Sequence, residues 1–260
     1  RTLLAIPCIS RIVKNQVCKK LSDAFGGNFC VVIAGGAALA KDVESLLHDI
    51  RFKFTVGYGA TETAPIISYE DWTRFVPQSC GKAAKHMEVK INSSDPQNVS
   101  GEIWARGLNT LVGYDRNPEA TAATLDAEGW YHTGDMGVMD AEGNIFIKGR
   151  CKNMLLGANG QNIYPEEIED KINAQMGVAE TVVIQNAKDQ KLYALIFPNR
   201  DALKAAGVTD EAEHFERMRR EVNKLLPSYC QVVGVRLRDE EFEKTPKKSI
   251  KRFLYLNTEV

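Results

Sequence analysis

The sequence predicts an α/β plus α+β protein, and three textures along the chain carry that expectation. Residues 1–74 alternate helix-like and strand-like segments whose strands end in glycine. Residues 75–149 change to a period of two, and residues 150–260 mix both periods again. A partial α/β layer, a small antiparallel β-barrel-like subdomain and a compact α+β C-terminal domain follow in that order.

In the first segment Ile9, Val13, Val17 and Leu21 recur every four residues and predict a helix. "FCVVIAGG" (Phe29 to Gly36) is a short apolar run stopped by two glycines, which reads as a buried strand entering a turn. Leu39, Val43, Leu46, Leu47 and Ile50 mark a second helix, and "FKFTVGYG" (Phe52 to Gly59) a second strand ending in glycine. Ligands of such layers sit beyond the carboxyl ends of the strands. From about Arg74, "MEVKI", "GEIWA" and "GNIFIKG" alternate apolar and polar residues, and "MDAEGN" signals a hairpin turn. Helical periodicity returns there only around Pro118–Leu125. After Arg150, "YPEEIEDKI" places Pro165 at a first helical position with Glu166 and Glu167 in the first turn. "ETVVIQN", "KLYALIFP" and "QVVGVRLRD" are strands. Phe215, Met218, Val222, Leu225 and Leu226 face one side of a helix that ends by Pro227.

Composition narrows the function. The 260 residues are 44% hydrophobic and 26% charged, the balance of a globular protein with a real core. Lys+Arg is 33 against Asp+Glu 34, which speaks against the broad cationic surface that nucleic-acid binding needs, so no nucleic-acid partner is expected. The 6 cysteines form no CxxC pair and do not cluster with His, against a zinc or redox site. Free thiols of this kind suit a reducing, cytoplasmic location. No apolar run reaches membrane-span length and no signal peptide is present, so peripheral contact is the one membrane role left open. The chain begins at Arg1 and runs straight into amphipathic sequence, which suggests a piece of something longer. Nothing in it sets an oligomeric state.

Three constellations could do chemistry. "GYGATET" (Gly57 to Thr63) follows a strand. Tyr58 could stack on a purine, Thr61 donate to a phosphate oxygen, and Glu62 hold Mg²⁺ through oxygen. The plain alternative is a surface turn with a capping Thr and a solvated Glu, and spacing alone slightly favours it. In "GWYHTGDMG", Asp135 sits between glycines on a tight turn, where a carboxylate can accept two ribose hydroxyls at ~1.5–3 kcal/mol each. A turn Asp satisfied by its own backbone is the alternative. His132 reads as a packed strand residue, since no nucleophile accompanies it. In "GRCKNMLLGANGQNIYPEEIE", Arg150 ends the last strand of the β region and Lys152 lies in a joint. Gly157 and Gly160 allow close backbone approach by a ligand. An interdomain linker with turn glycines accounts for the same residues.

Singly these signals are weak; their order and spacing are not. "GGAAL", "GYGATET", "GEIWARGLNTLVGYDRNPEAT", "GWYHTGD" and "GRCKNMLLGANGQNIYPEEIE" match in order the successive motifs of the adenylate-forming superfamily of acyl-CoA ligases, luciferases and nonribosomal-peptide adenylation domains. "KTPKKSIKR" matches the last motif loosely. The resemblance covers about residues 11 to 255 and, within the superfamily, is to bacterial long-chain fatty-acid–CoA ligases. It implies an enzyme that uses ATP, Mg²⁺ and coenzyme A. The fatty acid's carboxylate attacks the α-phosphate to give acyl-AMP and pyrophosphate. The small domain, mobile for this purpose, then rotates, and the CoA thiol attacks the acyl-AMP. By the same resemblance the Gly36–Ala37–Ala38 backbone and Tyr58 flank the adenine, with Gly59 in the same nucleotide-binding turn. Thr61 contacts the α-phosphate and Glu62 the Mg²⁺. Asp135 and Arg150 hold the ribose, Lys152 is the hinge, and Gly160 lies along the pantetheine path. Two other readings stay open: an adenylation domain that loads a carrier protein, and a non-catalytic nucleotide-binding module.

Two departures from that pattern matter. "EKTPKKSIKRF" crowds five basic residues into eleven positions near the end of the chain. The superfamily places there a lysine that bridges the acyl carboxylate and the phosphate during adenylation. Aligned on Pro246 and Ile250, its position holds Ser249. Lys248 is one residue short, a shift of roughly 3.3–3.6 Å that a four-carbon stem can cover. Lys248 is therefore expected to be the catalytic cation, beside Thr61 and Glu62. The alternative is a solvated basic surface with impaired adenylation. The second departure is an absence: no Ser/Thr/Gly-rich phosphate loop precedes "GGAAL", nor any GxxxxGK[ST]. The upstream half of the large domain and most of a fatty-acid tunnel are missing too. The chain is expected not to turn over alone, and residues 1–74 to expose apolar surface.

Overall fold

The four-residue spacing at the N-terminus forms a helix, α1 (Pro7–Ala24). Its packed face runs through Cys18 and Leu21, while Val17 is exposed. A strict spacing of four drifts around a helix of 3.6 residues per turn, so the stripe leaves the core side. β1 (Val32–Ala34) pairs in parallel with β2 (Phe54–Val56) across α2 (Lys41–Asp49). β2 is fully buried, but Ile33 in β1 is 52% exposed. The expected buried strand is thus an edge, because only β2 pairs with it among the described residues. α2 turns Leu47 and Glu44 inward, with Ile50 buried at its C-terminal end, and leaves Val43 and Leu46 exposed. With Ile12 and Ile33 these form the exposed apolar surface of the first segment.

The chain then enters three short strands, β3 (Tyr58–Gly59), β4 (Ile66–Tyr69) and β5 (Lys82–Ala83), joined as an antiparallel sheet. A four-stranded sheet follows in sequence order: β6 (Met87–Asn92), β7 (Gly101–Gly107), β8 (Tyr131–Met139) and β9 (Ile145–Arg150). α3 (Pro118–Thr124) is inserted between β7 and β8, capped by the Asn117 side chain accepting from the Ala120 N–H. These strands make an open sheet; the barrel-like closure expected from the alternating pattern does not occur, because alternation specifies two faces and not closure. On one face Lys90, Trp104 and His132 stand in register across β6, β7 and β8. His132 stacks on Trp104 with ring centroids 4.1 Å apart. One hydrophobic cluster, including Phe54, Tyr58, Ile67, Ile103 and Ile145, runs beneath all these sheets.

The computed structural model describes residues 7–37, 39–157, 160–246 and 248–258. The chain divides into two compact units, Arg1–Lys148 and Gly149–Val260. The second begins with the hairpin of β10 (Leu155–Leu156) and β11 (Asn162–Ile163), then α4 (Pro165–Asn173) with its proline at the first turn. β12 (Val178–Gln185) and β13 (Leu192–Pro198) pair antiparallel, and β14 (Val232–Leu237) adds in parallel after α5 (Arg200–Ala205) and α6 (Glu211–Asn223). Both faces of this sheet are covered. Val183, Ala194 and Ile196 pack on α4 and α6, while Val182, Ile184 and Leu195 pack on Phe242 and Tyr255 of the C-terminal segment. Period two thus divides each strand between two cores.

Candidate functional site

Parallel pairing of β1 with β2 brings two glycine turns side by side at their carboxyl ends. Gly36 leaves β1 with φ +84°, and the Gly57 N–H, just after β2, donates to the Ala34 carbonyl at 2.8 Å. A Cβ on Gly35 would stand 3.0 Å from the Gly57 carbonyl oxygen, so this close approach depends on glycine. Gly36 and Ala37 are exposed there; Ala38 lies outside the described residues.

The next turn is tighter still. A Cβ on Gly59 would meet the Pro65 carbonyl oxygen at 1.7 Å, so only glycine lets β3 fold against the start of β4. Between them Thr61–Thr63 form one 3₁₀ turn closed by Ala64 in the left-handed region, φ 50°. The buried Thr63 hydroxyl holds this turn, accepting from the Ala60 N–H at 3.2 Å. Thr61 is exposed and Glu62 half-buried. The Glu62 carbonyl accepts from the Leu111 N–H at 2.7 Å, and its carboxylate accepts from the Tyr114 phenol at 2.9 Å. Among the described residues no Lys, Arg or His pairs with Glu62.

Asp135 lies within β8, not on the tight turn that its flanking glycines predict. Glu102 pairs with Met136 and Trp104 with His132, so Thr133, Gly134 and Asp135 together oppose the single residue Ile103. This is a bulge, opened by Gly134 at φ +70°. The Thr133 hydroxyl donates to the Ile103 carbonyl at 2.7 Å and accepts from the Asp135 N–H at 3.0 Å, while Glu102 accepts from the Gly134 N–H at 2.9 Å. The bulge turns Asp135 into the unit, where its Oδ2 accepts from the Tyr58 phenol at 2.7 Å; both residues are buried. Tyr131, also buried, lies near Glu62, Tyr114 and Asp135. Burial above all, then the charges of Glu62, Tyr114 and Asp135, pushes its phenol well above the usual range. Tyr58, Glu62 and Asp135 are therefore gathered in one place. Tyr114 and Tyr131 complete it and were passed over in the sequence, although both stand inside quoted motifs. Their signal, a neutral phenol, draws less notice than a charge.

The remaining candidates belong to the C-terminal unit. Arg150 is exposed at the end of β9 and Lys152 is exposed in the 3₁₀ turn Cys151–Asn153. Gly160 is exposed in the β10–β11 connection, with φ +79° and its N–H donating to the Gly157 carbonyl at 2.8 Å. The basic run near the end of the chain is mostly committed to structure. Lys244 pairs with Glu180 and Glu241, Lys251 with Glu243, and Arg252 with Glu169 at 2.6 Å. Lys247 lies outside the described residues. An isolated bridge between Lys244 and Ile250 closes a hairpin whose exposed Lys248 adopts φ 61°. The Lys248 amine makes no ion pair among the described residues.

Mg²⁺ is the metal that the sequence motifs imply. The described residues hold no group of three or more His, Cys, Asp or Glu able to form a protein cage. Glu62 alone fits the other arrangement, in which one carboxylate, water and substrate phosphates share the ion. A half-buried carboxylate without a cationic partner is the donor such an ion needs.

This mixed α/β architecture is that of adenylate-forming enzymes. The O-succinylbenzoate coenzyme A synthetase of Bacillus subtilis, solved with AMP, superposes with a TM-score of 0.78 at 21% identity, over 94% of this chain and 50% of that one. Residues 5–115 match the family model of the AMP-binding enzyme, and residues 152–258 that of the AMP-binding enzyme C-terminal domain. The chain belongs to the AMP-binding enzyme family. It is 35% identical to 4-coumarate–CoA ligase 2 of Oryza sativa subsp. japonica, over 61% of this chain and 30% of the relative. It is 29% identical to long-chain-fatty-acid–CoA ligase 1 of Saccharomyces cerevisiae, over 73% of this chain and 28% of the relative. The chain thus spans about a third of the length of such relatives.

Proposed function

We propose that these residues are part of an ATP-dependent, AMP-forming ligase that activates a long-chain fatty acid and transfers it to coenzyme A. The observation that carries this reading is the gathering of Tyr58, Glu62 and Asp135 beyond two parallel strands, with no Lys, Arg or His paired to Glu62 among the described residues. Tyr58, Gly59 and the Gly36–Ala37–Ala38 backbone flank the adenine. Asp135 accepts ribose hydroxyls, exchanging the Tyr58 phenol for substrate, and Arg150 assists it. Thr61 donates to the α-phosphate. Glu62 would hold Mg²⁺, which when bound offsets the negative charge of the phosphates.

In the first half-reaction a carboxylate oxygen of the acid bonds to the α-phosphorus, the bond to the bridging oxygen breaks, and pyrophosphate leaves with that electron pair. Lys248 neutralises charge as it develops there. In the second, the CoA sulfur bonds to the acyl carbon and gives up its proton to solvent, the bond from that carbon to the phosphate oxygen breaks, and AMP leaves with its electron pair, with Gly160 along the pantetheine path and Lys152 as the hinge. Residues 1–74, 75–149 and 150–260 would act as a partial nucleotide layer, its β platform and a mobile cap. A cytoplasmic setting with peripheral access to membrane lipid suits a fatty-acid substrate.

The identity to a yeast long-chain ligase supports the fatty acid. The identity to 4-coumarate–CoA ligases favours a second reading, an aromatic acid. The test joins these residues to an upstream half carrying a phosphate loop and supplies ATP with palmitate or 4-coumarate. Palmitate-dependent acyl-AMP, converted to acyl-CoA and AMP once CoA is added, is the expected result. Release of AMP with 4-coumarate alone would replace the fatty acid by an aryl acid. Formation of neither adenylate rejects the ligase reading.

A further inference from the structure

The least expected feature of the site is how Glu62 is held. A half-buried carboxylate in a protein usually recruits a lysine or arginine; this one recruits a phenol. Tyr114 donates to Glu62 Oε1 at 2.9 Å, and Tyr131 of β8 lies near the same carboxylate. Tyr114 is itself fixed by α3. Its backbone N–H donates to the Thr121 hydroxyl at 2.9 Å, and Thr124 lies near its phenol. The Thr121 hydroxyl in turn donates to the Asn117 carbonyl at 2.9 Å, and the Asn117 side chain caps α3. An unbroken chain of hydrogen bonds therefore runs from the cap of α3 to Glu62.

A neutral donor and a cation do different things to a carboxylate. A lysine would orient it and cancel its charge. A phenol orients it and leaves the charge in place, which is what a ligand for a divalent cation needs. We infer that Tyr114 is a positioning residue, holding the Glu62 carboxylate in orientation for a metal–nucleotide complex, with Thr121 of α3 fixing Tyr114. This inference rests on the proposed role of Glu62. It assigns a task to α3 and its flanking "GYDRNPEATAAT", a segment that contributes no charged group to the site.

The test uses the full chain with Mn²⁺ as probe metal and AMP as probe nucleotide, reading AMP affinity by calorimetry with and without Mn²⁺. In the wild type Mn²⁺ is expected to strengthen AMP binding. Tyr114→Phe removes the donor and keeps the ring, and it should reduce the Mn²⁺ enhancement about tenfold, as loss of an outer partner of a metal ligand does. Metal-free AMP affinity should stay within about twofold, which reports an intact fold. Tyr131→Phe, which removes no hydrogen bond to Glu62, should act more weakly. Unchanged enhancement in Tyr114→Phe, while Glu62→Gln abolishes it, overturns the positioning role and leaves Glu62 in place. Unchanged enhancement in Glu62→Gln, or none in the wild type, overturns the role of Glu62 and this inference with it. Equal losses with and without Mn²⁺ in Tyr114→Phe would show a structural residue only and also overturn the proposal.

Discussion

In the C-terminal unit Glu169 is buried against Arg252 at 2.6 Å and also accepts from the Val183 N–H at 2.6 Å. In the N-terminal unit Glu62 is half-buried, accepts from the Tyr114 phenol and has no cationic partner among the described residues. The contrast separates two uses of a carboxylate. Arg252 reaches both Glu169 on α4 and the Val183 carbonyl on β12, so the pair ties helix, strand and C-terminal segment together. Burial pushes the Glu169 carboxyl up, and the guanidinium opposes that push. Such a pair is costly to break, because either partner alone is a buried charge. Glu62 strands no opposite charge when removed. Three cations of the basic run, Lys244, Lys251 and Arg252, are thus paired, and among the described residues of that run Lys248 is the one without an ion pair.

The largest expected effect attacks the paired carboxylate. Arg252→Met should destabilise the C-terminal unit by about 3–5 kcal/mol in urea unfolding. Glu62→Gln should change the N-terminal unit by no more than about 0.5 kcal/mol. All 3 tryptophans lie in the N-terminal unit, so their fluorescence follows that unit while far-UV circular dichroism follows both. Similar losses at the two sites would erase the distinction. Next in size, Lys248→Ala should lower acyl-AMP formation about 10²–10³-fold in the protein completed with a phosphate loop, far more than Lys247→Ala. Equal, small losses would return the whole basic run to structure. A smaller effect is expected at Asp135. Tyr58→Phe removes the 2.7 Å bond to a buried carboxylate and should cost about 2 kcal/mol of N-terminal stability, read from tryptophan fluorescence.

The smallest effect concerns Glu44, a third buried carboxylate, which accepts from the Gln78 N–H at 2.6 Å. Burial raises its pKa above the usual range, ahead of the opposing Gln78 bond and the His48 and Lys41 charges. A raised carboxyl takes up its proton in the folded state before the unfolded chain does. Its ionisation therefore opposes folding at neutral pH, and that penalty fades as pH falls through the folded pKa. Glu44→Gln should flatten this slope in the urea midpoint between neutral and mildly acidic pH. Asp95 and Asp126, whose pKa values are lowered, contribute the opposite slope, lost at still lower pH in both proteins. An identical pH profile for wild type and variant would mean that Glu44 is better solvated than its burial implies.

Much of this was legible along the chain. Period and glycine placement gave α1, α2, α4 and α6, most of the longer strands and the hairpin at "MDAEGN", where Asp140 accepts from the Glu142 and Asn144 N–H groups, while β4, β5 and α5 were too short to show a period. Tyr58 and Asp135 of the candidate site could also be picked out, since each sits beside a glycine that the backbone requires, while Glu62, between two threonines, stood out by its charge alone. Closure of the β region could not be read, because a strand's alternation says which side is apolar and nothing about whether its sheet meets itself. Nor could the environment of Asp135: "TGD" announces a left-handed glycine, and the same glycine serves a turn or a bulge.

What the amino-acid order determined alone is local: backbone freedom at Gly35, Gly59 and Gly134, helix starts at Pro118 and Pro165, and the chemical groups on offer. What only the folded chain decided is which charges meet. Arg252 stands 83 positions from Glu169 and becomes its partner, while Tyr114 stands 52 from Glu62 and becomes its support. Ion pairing and hydrogen bonding act over a few ångströms, and separation along the chain does not set that distance; the packing of strands and helices does.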